Sequence, residues 1–180
     1  MNIEETPIKN LLTITPKKYN DSRGHFFEQF HAENYEQVIG TDILLVQDNV
    51  SKSKKNVLRG LHIQNDHPQG KLVSVLQGSI YDVAVDLRKE SNTFLNWHAV
   101  KLTDKNFKQF WIPEGFAHGF LSLEDNTIVH YKCSNLYDPS SEETIIWNDS
   151  TLNINWPTSE PILSKKDLGG ISSSEYIANV

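Results

Sequence analysis

Lys71-Leu72-Val73-Ser74-Val75-Leu76-Gln77-Gly78-Ser79-Ile80-Tyr81-Asp82-Val83-Ala84-Val85-Asp86 reads as two β-strands joined at Gln77-Gly78. Successive side chains in a strand point to opposite faces. Ile80, Asp82, Ala84 and Asp86 therefore share one face, and Tyr81, Val83 and Val85 share the other. A glycine turn between two such runs predicts a hairpin.

Similar runs lie on both sides. Strands are expected over residues 11–15, 24–30, 43–50, 57–64, 97–102, 107–112, 116–123 and 127–133, with shorter ones at 143–147 and 152–156. Asn20-Asp21-Ser22 and the basic segment 52–56 read as turns. One short helix is expected over 31–39, closed by Gly40, and the tail, about 171–180, reads as weakly ordered. Many short strands with regularly spaced turns predict an all-β sandwich or barrel. A barrel of this size can hold one ligand in its mouth.

The 180 residues predict a single domain spanning 1–180, large enough to bury a core without staples. Seventeen basic and 23 acidic residues give a net charge of −6. That balance speaks against a general nucleic-acid partner and against a polybasic membrane surface. The first ten residues carry no apolar signal core, and no run approaches the roughly 20 apolar residues of a membrane helix. The single cysteine, Cys133, leaves no internal disulfide and fits a reducing compartment. A cytoplasmic protein is expected.

Val57-Leu58-Arg59-Gly60-Leu61-His62-Ile63-Gln64 places a guanidinium and an imidazole three residues apart in an apolar strand. In a regular strand they would face opposite sides. A bulge at Gly60 would bring them to one side. A guanidinium suits a phosphate, and an imidazole suits proton transfer near neutral pH. The pair points to a phosphorylated substrate with a labile proton, or else to an edge ion pair and a hydrogen-bonded core histidine. Other polar residues break apolar segments: Gln47, Asp48 and Asn49; Lys71; His118; Tyr131 and Lys132. Such a set forms either a structural network or a ligand cavity. Asp82 and Asp86 are candidate paired carboxylates, although Arg88 beside them suggests a structural ion pair. Cys133 is a candidate nucleophile or plain packing.

Jelly-roll metal sites commonly use a His-x-His pair with a glutamate and a further histidine. Here Gln64 stands where the second histidine would fall, so no metal is expected. Neither common phosphate-loop spacing nor a Gly-x-Ser-x-Gly elbow occurs.

Taken in order, these motifs resemble one family. They are Asp21-Ser22-Arg23-Gly24 with Phe26, Phe27 and Glu28; Gln47-Asp48-Asn49-Val50-Ser51; the segment around Arg59 and His62; Gln69-Gly70-Lys71-Leu72-Val73; and residues 82–88. Further on come Trp111-Ile112-Pro113-Glu114-Gly115-Phe116-Ala117-His118-Gly119-Phe120, Tyr131-Lys132 and Leu163-Ser164-Lys165-Lys166-Asp167. The sequence resembles the dTDP-4-dehydrorhamnose 3,5-epimerases from about Ile3 to Asp167.

The resemblance implies a cupin-type jelly-roll barrel with short flanking helices. It implies a dTDP-linked 4-keto-6-deoxy sugar as substrate, no cofactor, and a homodimer with exchanged N-terminal strands. By position, His62 would be the general base, oriented by Asp167, and Tyr131 the acid on the opposite face of the sugar. Lys71 would stabilise the enolate oxygen. Arg23, Arg59 and His118 would hold the diphosphate and sugar, and Tyr137 would stack on the thymine. Phe26, Glu28, Gln47 and Asn49 would lie near the ligand, with Glu142 and Lys166 as further contacts. The segment from Arg23 to Glu28 would serve the neighbouring subunit's site. Ile63, where many members carry an aromatic, leaves sugar or nucleotide preference open. An epimerase acting at one carbon, a metal-dependent jelly-roll enzyme and a non-catalytic sugar-binding module are the alternatives.

Overall fold

The computed structural model describes residues 1–180. Its elements in chain order are β1 (Asn2–Glu5), β2 (Leu12–Thr15), β3 (Lys18–Asp21), β4 (Gly24–Phe27), α1 (Ala32–Ile39), β5 (Gln47–Ser53) and β6 (Leu58–Gln64). Then come β7 (Lys71–Gln77), β8 (Ser79–Asp86), β9 (Trp97–Thr103), β10 (Gln109–Ile112), β11 (Phe116–Ser122), β12 (Thr127–Cys133), β13 (Glu142–Thr144), α2 (Lys165–Leu168) and α3 (Ser173–Asn179). Two antiparallel sheets carry the fold, in the orders β1-β2-β10-β7-β12-β5 and β13-β6-β11-β8-β9. β3 and β4 form a separate two-stranded ribbon.

The expected hairpin at Gln77-Gly78 does not form. β7 pairs with β10 and β12, and β8 pairs with β11 and β9, so the two strands belong to opposite sheets. Gly78, at φ +81°, is the corner where the chain crosses over. A Cβ there would lie 2.6 Å from Thr127 Oγ1. The glycine marks a sharp reversal, but between layers rather than within one.

The alternation in β8 holds. Ile80 and Ala84 join Val73, Val75, Phe110, Phe120 and Val129 in the core between the sheets. Val83 and Val85 lie on the other face, with Leu61, Ile63, Ala117 and Leu152. Tyr176 of α3 seals that outer cluster, and its hydroxyl donates to Asn65 Oδ1 at 2.7 Å. The tail therefore carries a helix rather than weakly ordered chain. Its start is fixed by Asp149, which accepts from both the N–H and the hydroxyl of Ser173. A third cluster, Ile14, Tyr35, Leu72 and Trp111, packs α1 against the six-stranded sheet.

Other boundaries shift. The strand expected over 43–50 runs Gln47–Ser53 and takes Lys52 out of the expected turn. The strand expected over 24–30 stops at Phe27, and 152–156 forms no strand. There the Leu152 N–H donates instead to the Asp149 carboxylate, and its side chain packs in the outer cluster. β1 and β3 are polar, exposed strands that hydrophobic patterning misses.

Gly60 carries the expected irregularity. His62 is the partner of His118, yet Arg59 is the partner of Phe120, so β6 holds one extra residue over this span. A Cβ at Gly60 would lie 2.5 Å from both Gly119 Cα and the His118 carbonyl oxygen, and φ is +114°. Only glycine fits that approach. The phase shift puts Arg59 and His62 on one cavity while Leu61 and Ile63 stay in the outer cluster.

Candidate active site

A cavity of about 400 Å³ opens between β5, β6, β7, β11 and β12, with the loop before β13 and the start of α2 at its mouth. Its lining is largely polar, which is unusual for a barrel interior and matches a site for a polar ligand. His62 stands on one wall. Its Nε2 is 2.7 Å from Asp167 Oδ1. Asp167 is itself fastened: the Gly60 N–H donates to Oδ1 at 3.2 Å, and the Ser164 hydroxyl donates to Oδ2 at 2.6 Å. Ser164 caps α2 by accepting from the Asp167 N–H. Burial pushes the Asp167 carboxyl up, but the bonds from His62, Ser164 and Gly60 outweigh it and hold the pKa at about 2. An ionised Asp167 accepts from Nε2–H, which leaves the Nδ1 lone pair as the basic site facing the cavity. Glu142 Oε1 lies 3.7 Å from Nδ1.

The depressed Asp167 pKa has a consequence for stability. A carboxyl whose folded pKa lies below its ordinary value stabilises the fold above that ordinary value, and the gain is lost as pH falls through the folded pKa. The advantage of the wild type over Asp167→Asn should therefore hold above about pH 4 and shrink toward pH 2. Urea midpoints across that range, for both proteins, check it.

Deeper in the cavity, His118 Nε2 sits 2.6 Å from Asp82 Oδ1. Burial pushes the Asp82 carboxyl up and the His118 imidazole down, and each is opposed by the other as its nearest charge partner. Asp82 Oδ2 has no partner. Lys71, on β7, lines the same cavity, and burial pushes its ammonium down from the usual lysine range. Tyr131 lines it from β12, with its phenol pushed up by burial, so it holds its proton at neutral pH. At the mouth Arg59 Nε donates to Ser53 Oγ at 3.2 Å. Gln47 accepts from the Tyr137 N–H and donates to Asn49, whose amide donates to Cys133 Sγ at 3.6 Å. The Tyr137 hydroxyl donates to Glu142 Oε2 at 2.6 Å, and the Lys166 ammonium binds the same oxygen.

Most of the residues expected from the sequence thus meet: His62, Asp167, Lys71, Tyr131, Arg59, His118, Gln47, Asn49, Tyr137, Glu142 and Lys166. Arg23, Phe26 and Glu28 do not. Arg23 is solvent-exposed and paired with Asp21 at 2.5 Å, Phe26 is 66% exposed, and Glu28 lines a separate depression beside α1. Asp82 is a correction, because the ion pair expected for both acids forms only at Asp86, whose carboxylate holds Arg88 at 2.8 Å. An acid on an interior face needs a partner, and His118 was the available one. Ser164 was not among the expected site residues; its Ser-x-x-Asp spacing to Asp167, that of a helix cap, is the signal that could have found it. Ser51, Gln69 and Phe120 also line the cavity and gave no signal of their own. Cys133 is 1% exposed and burial raises its thiol pKa, so it is packing rather than a nucleophile. Gln64 is spent on structure: its amide donates to the carbonyls of His67 and Leu136, and its oxygen accepts from the Asp138 N–H. No group of three or more His, Cys, Asp or Glu side chains is placed to hold a metal ion. No helix is long and apolar enough to cross a membrane.

A family model described as dTDP-4-dehydrorhamnose 3,5-epimerase matches residues 5–174. The chain belongs to that family. It is 51% identical over 169 residues to the dTDP-4-dehydrorhamnose 3,5-epimerase of Salmonella typhimurium, covering 93% of this chain and 92% of that one. The crystal structure of a dTDP-6-deoxy-D-glucose-3,5-epimerase from Legionella pneumophila, in complex with dTDP-4-keto-L-rhamnose, superposes with a TM-score of 0.91 at 49% identity, covering 94% of this chain and 90% of that one. A 3'-monoepimerase from Streptomyces bikiniensis in complex with dTDP-quinovose gives a TM-score of 0.89 at 31% identity, covering 96% and 89%. The architecture is the cupin-type jelly roll of these epimerases, and the chain is an epimerase by membership.

Proposed function

We propose that this epimerase inverts C3 and C5 of dTDP-4-dehydro-6-deoxy-D-glucose to give dTDP-4-dehydro-L-rhamnose. One observation carries the reading: an imidazole tied at Nε2 to an ionised carboxylate turns its free nitrogen into a cavity lined by a protonated phenol and a half-buried lysine. The 4-keto group acidifies the hydrogens on C3 and C5. His62 removes one, with Asp167 fixing the tautomer and stabilising the imidazolium, as the aspartate of a catalytic triad does. Negative charge gathers on O4, where Lys71 stabilises it. Tyr131 returns a proton to the opposite face. Arg59 and His118 hold the diphosphate and sugar, and Tyr137 stacks on the base, with Gln47 and Asn49 near the nucleoside and Glu142 and Lys166 as further contacts.

Arg23, Phe26 and Glu28 act on a second subunit's cavity in a homodimer that exchanges N-terminal strands. That reading is supported by the β3–β4 ribbon, whose aromatic Tyr19 and Phe26 are exposed and whose cations lie off the chain's own site. The single free cysteine fits a cytoplasmic, reducing setting.

Incubation with the 4-keto sugar nucleotide in deuterated water tests the reaction. Label at both C3 and C5 is expected. Label at one carbon favours a monoepimerase, a reading given weight by the similar Streptomyces enzyme. Label at neither overturns the substrate.

A further inference from the structure

Two inversions at one imidazole raise a problem of protons, and the geometry around Glu142 answers it. In the first inversion a C–H bond breaks, its electron pair passes into the enolate, and an N–H bond forms at His62 Nδ1. The Tyr131 O–H bond breaks and a new C–H bond forms on the other face. The site then holds an imidazolium and a phenolate. The second inversion needs a neutral imidazole and a protonated phenol, so one proton must leave and one must return.

The Nε2 side offers no exit. Asp167 is buried, and its oxygens are already occupied by His62, Gly60 and Ser164. His118 is tied at Nε2 to Asp82, and Lys71 is assigned to the enolate oxygen. Glu142 is different. One oxygen faces Nδ1 at 3.7 Å, and the other is shared by Tyr137 and Lys166, both about half-exposed at the cavity mouth. Its carboxylate spans from the base to the solvent side.

We propose that Glu142 is a positioning residue that resets His62 between the two inversions, carrying the Nδ1 proton to water at the mouth. The inference rests on the two-inversion reading above, since a single inversion has no need of it. At 3.7 Å the gap exceeds a hydrogen bond, so transfer runs through a swing of the carboxylate or one bridging water. The proton moves from Nδ1 to Glu142 and then to water, while the Tyr131 phenolate takes a proton from water. Nothing is oxidised or reduced. Burial pushes the Glu142 carboxyl up, but Lys166 and Tyr137 more than offset this and hold it below the usual range. It therefore keeps the proton briefly and passes it on.

The test is a quenched single turnover of Glu142→Gln in deuterated water, with NMR following each carbon. A glutamine can still contact Tyr137 but accepts no proton from Nδ1. The rate of the second inversion relative to the first should fall at least about tenfold, the lower part of the range for a lost proton-transfer group. A singly inverted, singly labelled sugar should accumulate. Glu142→Asp, which keeps a carboxylate, should recover part of the ratio. An unchanged ratio, or equal loss at both carbons up to complete inactivity, overturns the inference. If the wild type itself labels only one carbon or neither, the two-inversion reading fails and the inference falls with it; label at both with an unchanged ratio in the variant sinks the inference alone.

Discussion

Replacing His62 with Asn should abolish deuterium exchange at C3 and C5 together, by about 10³-fold or more, which is roughly 4 kcal/mol of transition-state stabilisation. The size follows from the wall on which the imidazole stands. No second imidazole is free beside it: His118 is tied at Nε2 to Asp82, and Glu142 is a carboxylate bound by Lys166 and held below its usual range. An asparagine can still hydrogen-bond to Asp167, so the wall need not collapse. It cannot take a proton from carbon. Both carbons should fall together because both lean on one nitrogen. NMR of the recovered substrate measures this directly. Exchange persisting at one carbon with the other lost would mean that a second base serves that carbon, and His118 would be the one to test next.

The residues that made this site legible are those whose polarity made no sense in their strands. Lys71, His118 and Tyr131 interrupt runs that otherwise build the core, and the fold turns all three toward one space. Gly60 was legible for the same kind of reason, because a glycine in a strand pattern signals a bulge, and the bulge is what aligns Arg59 with His62. Asp82 was harder. It is followed by Asp86 and Arg88, and local charge pairing is the simpler expectation; only the pairing of β8 with β11 brings it beside His118. That contact spans 36 residues and leaves no local trace.

The misreadings of the fold have separate causes. Gln77-Gly78 announces a reversal, and the local pattern is the same whether the chain returns within its sheet or crosses to the other one. The choice is made by β10, β11 and β12, which occupy the neighbouring positions. Strands β1 and β3 bury no residue, because little of the chain covers them. The helix α3 was hidden by a polar tail in which Ser172 is the cap and only Ser173 and Tyr176 are buried.

Tyr131→Phe should separate abstraction from inversion. The variant keeps His62, Asp167 and Lys71, so a proton can still leave carbon and the enolate is still stabilised. What it loses is the donor on the far side. Phenylalanine fills the same half-buried place against the core, so little stability is expected to change. The enolate then has one route back, through the imidazolium that made it, and that route restores the starting configuration. In deuterated water the imidazolium exchanges its proton with solvent before returning it. The substrate should therefore gain deuterium with retention, while the inverted product falls by about 10²-fold or more. Exchange should fall much less. The burial that raises the Tyr131 phenol makes the contrast sharper, because it keeps the proton on oxygen until the enolate calls for it. Equal loss of exchange and inversion would place Tyr131 in the abstraction step itself, and the two faces of the scheme would reduce to one.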